Sequence, residues 1–156
     1  MTDADLDQVN QVADAIHPTL PEREEVFADK FRAFPDGCYV FTLHNRVVGY
    51  AVSHPWGLYQ IPALDTFLGP LPPQPECLFI HDVAILPEGR GLGGAREFVE
   101  IAVSLAQGLG IFSLALVSVY NTRLFWSQFG FEVVQRAELD KKLQDYGAAD
   151  YMLRKL

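Results

Sequence analysis

Residues 87–95 read PEGRGLGGA and place four glycines within the six positions from Gly89 to Gly94, with Arg90 among them. A strand-like run, LFIHDVAI (78–85), precedes them, and a helix-like run, REFVEIAVSLAQ (96–107), follows. Glycine lacks a Cβ, tolerates positive φ and lets a ligand approach the backbone closely. The first amides of a helix have no internal acceptor and carry the positive end of its dipole. A strand, a glycine turn and a helix in succession therefore make an anion site, and the fold must be one that delivers it.

The 156 residues are 49% hydrophobic and 21% charged, so one domain over 1–156 with a sizeable core is expected. No apolar run is long enough to cross a bilayer. The N-terminus, MTDADLDQ, is acidic where a secretory signal would be basic and then apolar, so a cytoplasmic protein is expected. Cys38 and Cys77 have neither metal nor redox spacing and read as buried free thiols. The formal net charge of −8, with no basic cluster, argues against a nucleic-acid partner. The same acidity would draw a cationic amine.

Leu6, Val9, Ala13 and Ile16 recur at helical spacing behind Thr2, a capping residue, and stop at Pro18. Pro21 and Glu22 open a second helix, whose buried stripe is Phe27, Phe31 and Phe34. CYVFTLH (38–44) and VVGYAVSH (47–54) form a hairpin about Asn45-Arg46, with Gly49 marking a bulge. Residues 55–76 hold six of the ten prolines with Trp56, Tyr59 and Phe67, and they read as a loop lining a substrate site. FSLALVSV (112–119) is apolar enough for a central strand covered on both faces. Asn121 or Thr122 caps a short helix ending near Gly130. FEVVQR (131–136) and ADYMLRKL (149–156) are closing strands around a partly helical polar segment.

Two anions compete for the turn. Gly89-x-Gly91-x-x-Gly94 matches the dinucleotide fingerprint, but the next strand ends in Ser118-Val119-Tyr120-Asn121 with no carboxylate for a ribose. No Gly-Lys-Ser or Gly-Lys-Thr is present for a nucleotide P-loop, and no Gly-x-Ser-x-Gly for a serine hydrolase. His17, His44 and His54 show no metal-ligand spacing, so no metal site is expected.

The other anion is the pyrophosphate of coenzyme A. Arg90-Gly91-Leu92-Gly93-Gly94-Ala95 resembles the R/Q-x-x-G-x-G/A signature of the GNAT superfamily of N-acetyltransferases. HDVAILPEGR (81–90) is similar to that family's fourth strand and its exit, and NTRLFWSQFGFEVV (121–134) to its later helix and strand. The resemblance covers nearly the whole chain. It implies an α+β fold with a mixed, mostly antiparallel sheet of six to seven strands, splayed between the family's fourth and fifth, and about four flanking helices.

It further implies acetyl-CoA as acyl donor. Pantetheine would pair with the backbone of Val83, Ala84 and Ile85, as an added strand does. The pyrophosphate would rest on Gly91, Leu92, Gly93, Gly94 and Ala95, with Arg90 and Arg96 nearby, and Asn121 would contact the coenzyme. Relatives often carry a tyrosine four residues before the Gly-Phe; Trp126 stands there, and an indole packs against coenzyme or core rather than acting as an acid. Tyr120 is then the substitute proton donor.

Acetyl transfer to a primary amine needs the amine neutral, hence a base, and His81 and Asp82 are the candidates. Strand alternation sends them to opposite faces. The expected reaction is direct attack in a ternary complex, on a small-molecule or protein amine. A non-catalytic acyl-CoA-binding module is the alternative, and the C-terminal strand could pair across a homodimer.

Overall fold

The computed structural model describes all residues from Met1 to Leu156. Helices α1 (Leu6–Ile16) and α2 (Glu24–Ala33) lead into the hairpin β1 (Cys38–Leu43) and β2 (Arg46–Trp56). Then come β3 (Cys77–Ile85), α3 (Gly94–Gly108), β4 (Ser113–Ser118), α4 (Arg123–Ser127), β5 (Glu132–Val133), α5 (Ala137–Leu143) and β6 (Asp150–Lys155). The strands form one six-stranded sheet in the order β1-β2-β3-β4-β6-β5. Only the β3–β4 pair is parallel. Strand content and sheet type are as expected, with five α-helices in place of about four.

Side-chain parity divides the core. Leu78, Ile80, Leu114, Leu116 and Met152 face α3, whose Phe98, Val99, Ala102 and Ala106 recur at helical spacing. The opposite face meets α1 and α2 through Tyr50, Val52 and Ala84, and α5 through Phe79, Ala115 and Tyr151. Burying each large apolar side chain contributes roughly 1.5–3 kcal/mol.

Two irregularities of β3 open and furnish a cleft. β3 and β4 pair only at Leu78–Ile80 with Leu114–Leu116, so beyond Ile80 the strands diverge. In the β2–β3 ladder Val52 faces Asp82 and Ser53 faces Ile80, so His81 is an extra, bulged residue. The bulge inverts parity. Ile80 packs toward α3, whereas Ala84, also an even position, packs toward α1 and α2. His81 and Asp82 therefore share one face, not the opposite faces that unbroken alternation predicts.

Smaller differences have local causes. The hairpin turns on His44 and Asn45, both at positive φ, rather than on Asn45-Arg46. The β1–β2 bulge falls on Val48, beside Gly49, where an added Cβ would meet the Ala84 carbonyl at 2.9 Å. The second helix starts at Glu24, leaving Glu22 in the approach to it. The strand expected over 131–136 is only Glu132–Val133.

Candidate active site

Where β3 and β4 part, a cleft of about 770 Å³ opens between Ile80–Ile85 on one side and Leu116–Tyr120 on the other. Its floor exposes an unpaired strand edge. The Leu86 amide donates to Val48 of β2 at 2.8 Å, so alternation turns Ala84 toward β2 and Val83 and Ile85 toward the cleft. Arg90 Nε, which donates to the Ile85 carbonyl at 3.2 Å, occupies one position of that edge. Of the three residues expected to pair with a ligand, Val83 turns its backbone groups to the cleft and Ile85 its amide, the Ile85 carbonyl being taken by Arg90, while Ala84 has its own engaged and its side chain buried.

The edge leads to the glycine turn. Gly91 and Gly93 have φ of 77° and 90°, and open space lies where their Cβ atoms would be. Gly94 differs, because a Cβ there would sit 2.9 Å from the Phe41 ring. Gly91 and Gly93 set the turn, and Gly94 sets packing. The amides of Gly91, Leu92, Gly93, Gly94, Ala95 and Arg96 donate to no backbone acceptor, and the first intrahelical bond runs from Glu97 to Gly93. Six successive free amides at the positive end of a helix fit a diphosphate. Arg96 lies over the Phe129 ring at 5.4 Å and lines the cleft with Trp126, which is buried. The Leu92 side chain points to solvent, so only its backbone is available, and the Asn121 side chain lies outside the cleft lining.

The other end of the cleft holds two imidazole–carboxylate pairs. His81 Nε2 lies 3.1 Å from Glu22 Oε2. The same carboxylate accepts from Lys30 Nζ at 3.1 Å and from the Asp65 amide at 3.0 Å. This cluster is sealed: Lys30, His81 and Glu22 side chains are 0%, 4% and 6% exposed. Burial favours a neutral Glu22, but His81 and then Lys30 outweigh it and hold the carboxyl well below the usual carboxylate range.

The second pair is His17 with Asp82, Nε2 to Oδ1 at 3.0 Å, with the side chains 14% and 15% exposed. Tyr50, whose phenol pKa is driven far up by burial and by Asp82, donates its hydroxyl to the other Asp82 oxygen. Burial disfavours the His17 imidazolium, but Asp82 outweighs it and lifts the pKa above 6.5. His17 caps the C-terminus of α1, its amide bonded to Ala13 at 2.8 Å, and Pro18 bars continuation. Tyr120 stacks on its ring at 5.7 Å and shares a 3.1 Å hydrogen bond with Thr19 Oγ1.

Asp82, His81 and Tyr120 all line the cleft, where unbroken alternation would admit only one of His81 and Asp82, while His17, Glu22, Tyr50 and Lys30 escape a reading of the sequence. Nothing local marks them: His17, Glu22 and Tyr50 each meet a partner on β3 that is distant in the chain, and Lys30 joins through Glu22. The loop 57–76 reaches the cleft through Leu64 rather than through its aromatics. Tyr59 lies under Arg136, Phe67 under Arg23, and Trp56 packs on His54. Polar ties hold the loop: Tyr146 Oη to the Pro62 carbonyl at 2.7 Å, the Tyr59 amide to Tyr151 Oη at 3.1 Å, Asp65 on Arg23 and Glu22, and the Leu68 amide on Asp29. No helix is long and apolar enough to cross a membrane.

Solved structures share this architecture. Ard1 from Thermoplasma volcanium superposes with a TM-score of 0.75 at 16% identity, covering 100% of this chain and 94% of its own. GphF, a GNAT-like decarboxylase in complex with isobutyryl-CoA, gives 0.78 at 17% identity over 99% and 96%. Rv2747 from Mycobacterium tuberculosis, in complex with CoA, gives 0.70 at 16% identity over 98% and 95%. At such identities the likeness is one of fold. No curated protein sequence matches the chain. Residues 6–131 match the Acetyltransferase (GNAT) family, a span that runs from α1 through the glycine turn to Phe131. With the splayed sheet and the free-amide turn built from its own residues, the chain belongs to the GNAT acetyltransferase family.

Proposed function

We propose that this protein transfers an acetyl group from acetyl-CoA to a primary amine by direct attack in a ternary complex. The observation that carries the reading is the continuity of the cleft, in which six free amides, an unpaired strand edge and two imidazole–carboxylate pairs follow one another. In this reading the turn from Gly91 to Arg96 holds the pyrophosphate and the open edge at Val83 and Ile85 pairs with pantetheine. A β3 backbone N–H at that edge polarises the thioester carbonyl. Tyr120 supplies the hydroxyl for the departing sulfur. Trp126 and Phe129 furnish apolar surface beside the coenzyme.

A binding module would use the first two features and have no need of the third, so the imidazole–carboxylate pairs favour turnover over sensing. The negative charge of the chain supports a cationic acceptor. The test is a panel of primary amines with acetyl-CoA, followed by mass spectrometry of the acceptor. Amide formation dependent on protein is expected. Tight acetyl-CoA binding with no acetylated amine would support the sensor reading instead.

A further inference from the structure

We propose that His17, oriented by Asp82, is the base that takes the proton from the acceptor amine. This inference rests on the proposed acetyl transfer to an amine. Asp82 Oδ1 lies 3.0 Å from Nε2 as an ion-pair contact, off the line of an Nε2–H hydrogen bond, and Asp82 is itself fixed by Tyr50. Nε2 is the buried ring nitrogen, which leaves Nδ1 as the one open to the cleft. The nearby carboxylate favours the proton on Nε2, which leaves the lone pair on Nδ1. His81 is placed otherwise. Its Nε2 is tied to Glu22 and its Nδ1 is buried, so neither nitrogen is open to an incoming amine. Asp82, nominated by the sequence as a base, becomes a positioning residue acting through His17.

The charges around His17 suit the task. Asp82 faces it from β3, Tyr50 from β2 through Asp82, Tyr120 from the turn after β4, and Asp14 from its own helix. Glu22 adds a favourable charge from the approach to α2, itself countered by Lys30 and His81. The C-terminal end of α1 also favours an imidazolium. A base titrating near the working pH is the efficient one.

The step balances. The ammonium R–NH3⁺ gives one proton to His17 Nδ1, which passes it to solvent. The amine then attacks the thioester carbonyl carbon, so a C–N bond forms and the C–S bond breaks. The second N–H proton, lost as the tetrahedral adduct collapses, ends on the coenzyme sulfur. The products are the amide, CoA–SH and one proton.

The test is the pH profile of kcat/KM for His17→Gln, Asp82→Asn and the double variant, each with its acetyl-CoA Kd measured calorimetrically. The wild type should show a rising limb with an apparent pKa above 6.5. His17→Gln should lose at least roughly a hundredfold and the limb with it, at unchanged acetyl-CoA Kd. Asp82→Asn should lose a similar factor, because an amide NH2 directed at Nε2 puts the proton on Nδ1. The double variant should be no worse than His17→Gln alone, since the pair acts as a unit. His81→Gln should keep the limb whatever its rate. An active His17→Gln with the wild-type limb overturns the assignment and leaves the transferase reading intact. A wild type that binds acetyl-CoA but acetylates no amine overturns both.

Discussion

Glu22 gives the most quantitative perturbation. Its carboxylate receives Lys30 Nζ, His81 Nε2 and the Asp65 amide at 3.0–3.2 Å, in a setting almost closed to solvent. Burial alone would raise its pKa, but His81 and Lys30 together overcome it and hold the value at about 2, against 4.5 for a free side chain. At about 1.4 kcal/mol per pH unit, that gap corresponds to about 3 kcal/mol of stability. The folded pKa is depressed, so this stability is present above about pH 4.5 and is lost as pH falls toward 2. Lys30 runs the other way: burial lowers its pKa despite Glu22, so its charge is held at a cost.

Glu22→Gln removes the compensation and leaves a buried ammonium, which costs about 3–5 kcal/mol. Adding Lys30→Met removes the stranded charge and should restore more than half of the loss. The assay is urea unfolding at pH 7 followed by circular dichroism, repeated at pH 3, where the gap between wild type and Glu22→Gln should narrow. A single-variant loss below about 1 kcal/mol would mean the cluster behaves as an exposed pair. A double variant as unstable as the single would refute the account of Lys30.

Gly91→Ala and Gly93→Ala each force a Cβ into positive φ at a cost of about 1–2 kcal/mol. They should weaken acetyl-CoA binding at least tenfold by re-aiming the amides, as read by calorimetry. Gly94→Ala, which presses on Phe41, should lower stability by about 1–3 kcal/mol, as read by thermal melts. His54 is buried, and burial together with His81 holds its pKa near 3 against 6.5. Folding therefore loses about 2–3 kcal/mol between pH 6.5 and 4.5 as the unfolded chain takes up the proton, and His54→Phe should flatten that part of the Tm–pH curve. Burial pushes the Cys38 and Cys77 thiols up to about 12, so neither should react with a thiol reagent at pH 8 until urea unfolds the chain.

The sequence carries the parts that depend on neighbours in the chain. Glycine spacing marks the turn, apolar periodicity marks α3 and β4, and the order of elements marks the sheet. What it hides depends on register. Alternation puts His81 and Asp82 on opposite faces, and one extra residue in β3 puts them on the same face. His17 reads as a helix end before a proline, and Glu22 as the start of a helix. Each acquires a role only when the bulge brings a partner from β3 to meet it. The aromatic residues of 55–76 promise a ligand surface, yet cations take the rings of Tyr59 and Phe67, His54 packs on Trp56, and of the loop only Leu64 lines the cleft.

Calorimetric titration of the purified protein with acetyl-CoA, beside dephospho-CoA and NADH, tests the central claim most directly. The account predicts micromolar acetyl-CoA binding, sharply weakened in Gly93→Ala, and no heat from NADH. Absence of heat with every CoA species would contradict it and leave the glycines from 89 to 94 as a turn that serves packing alone.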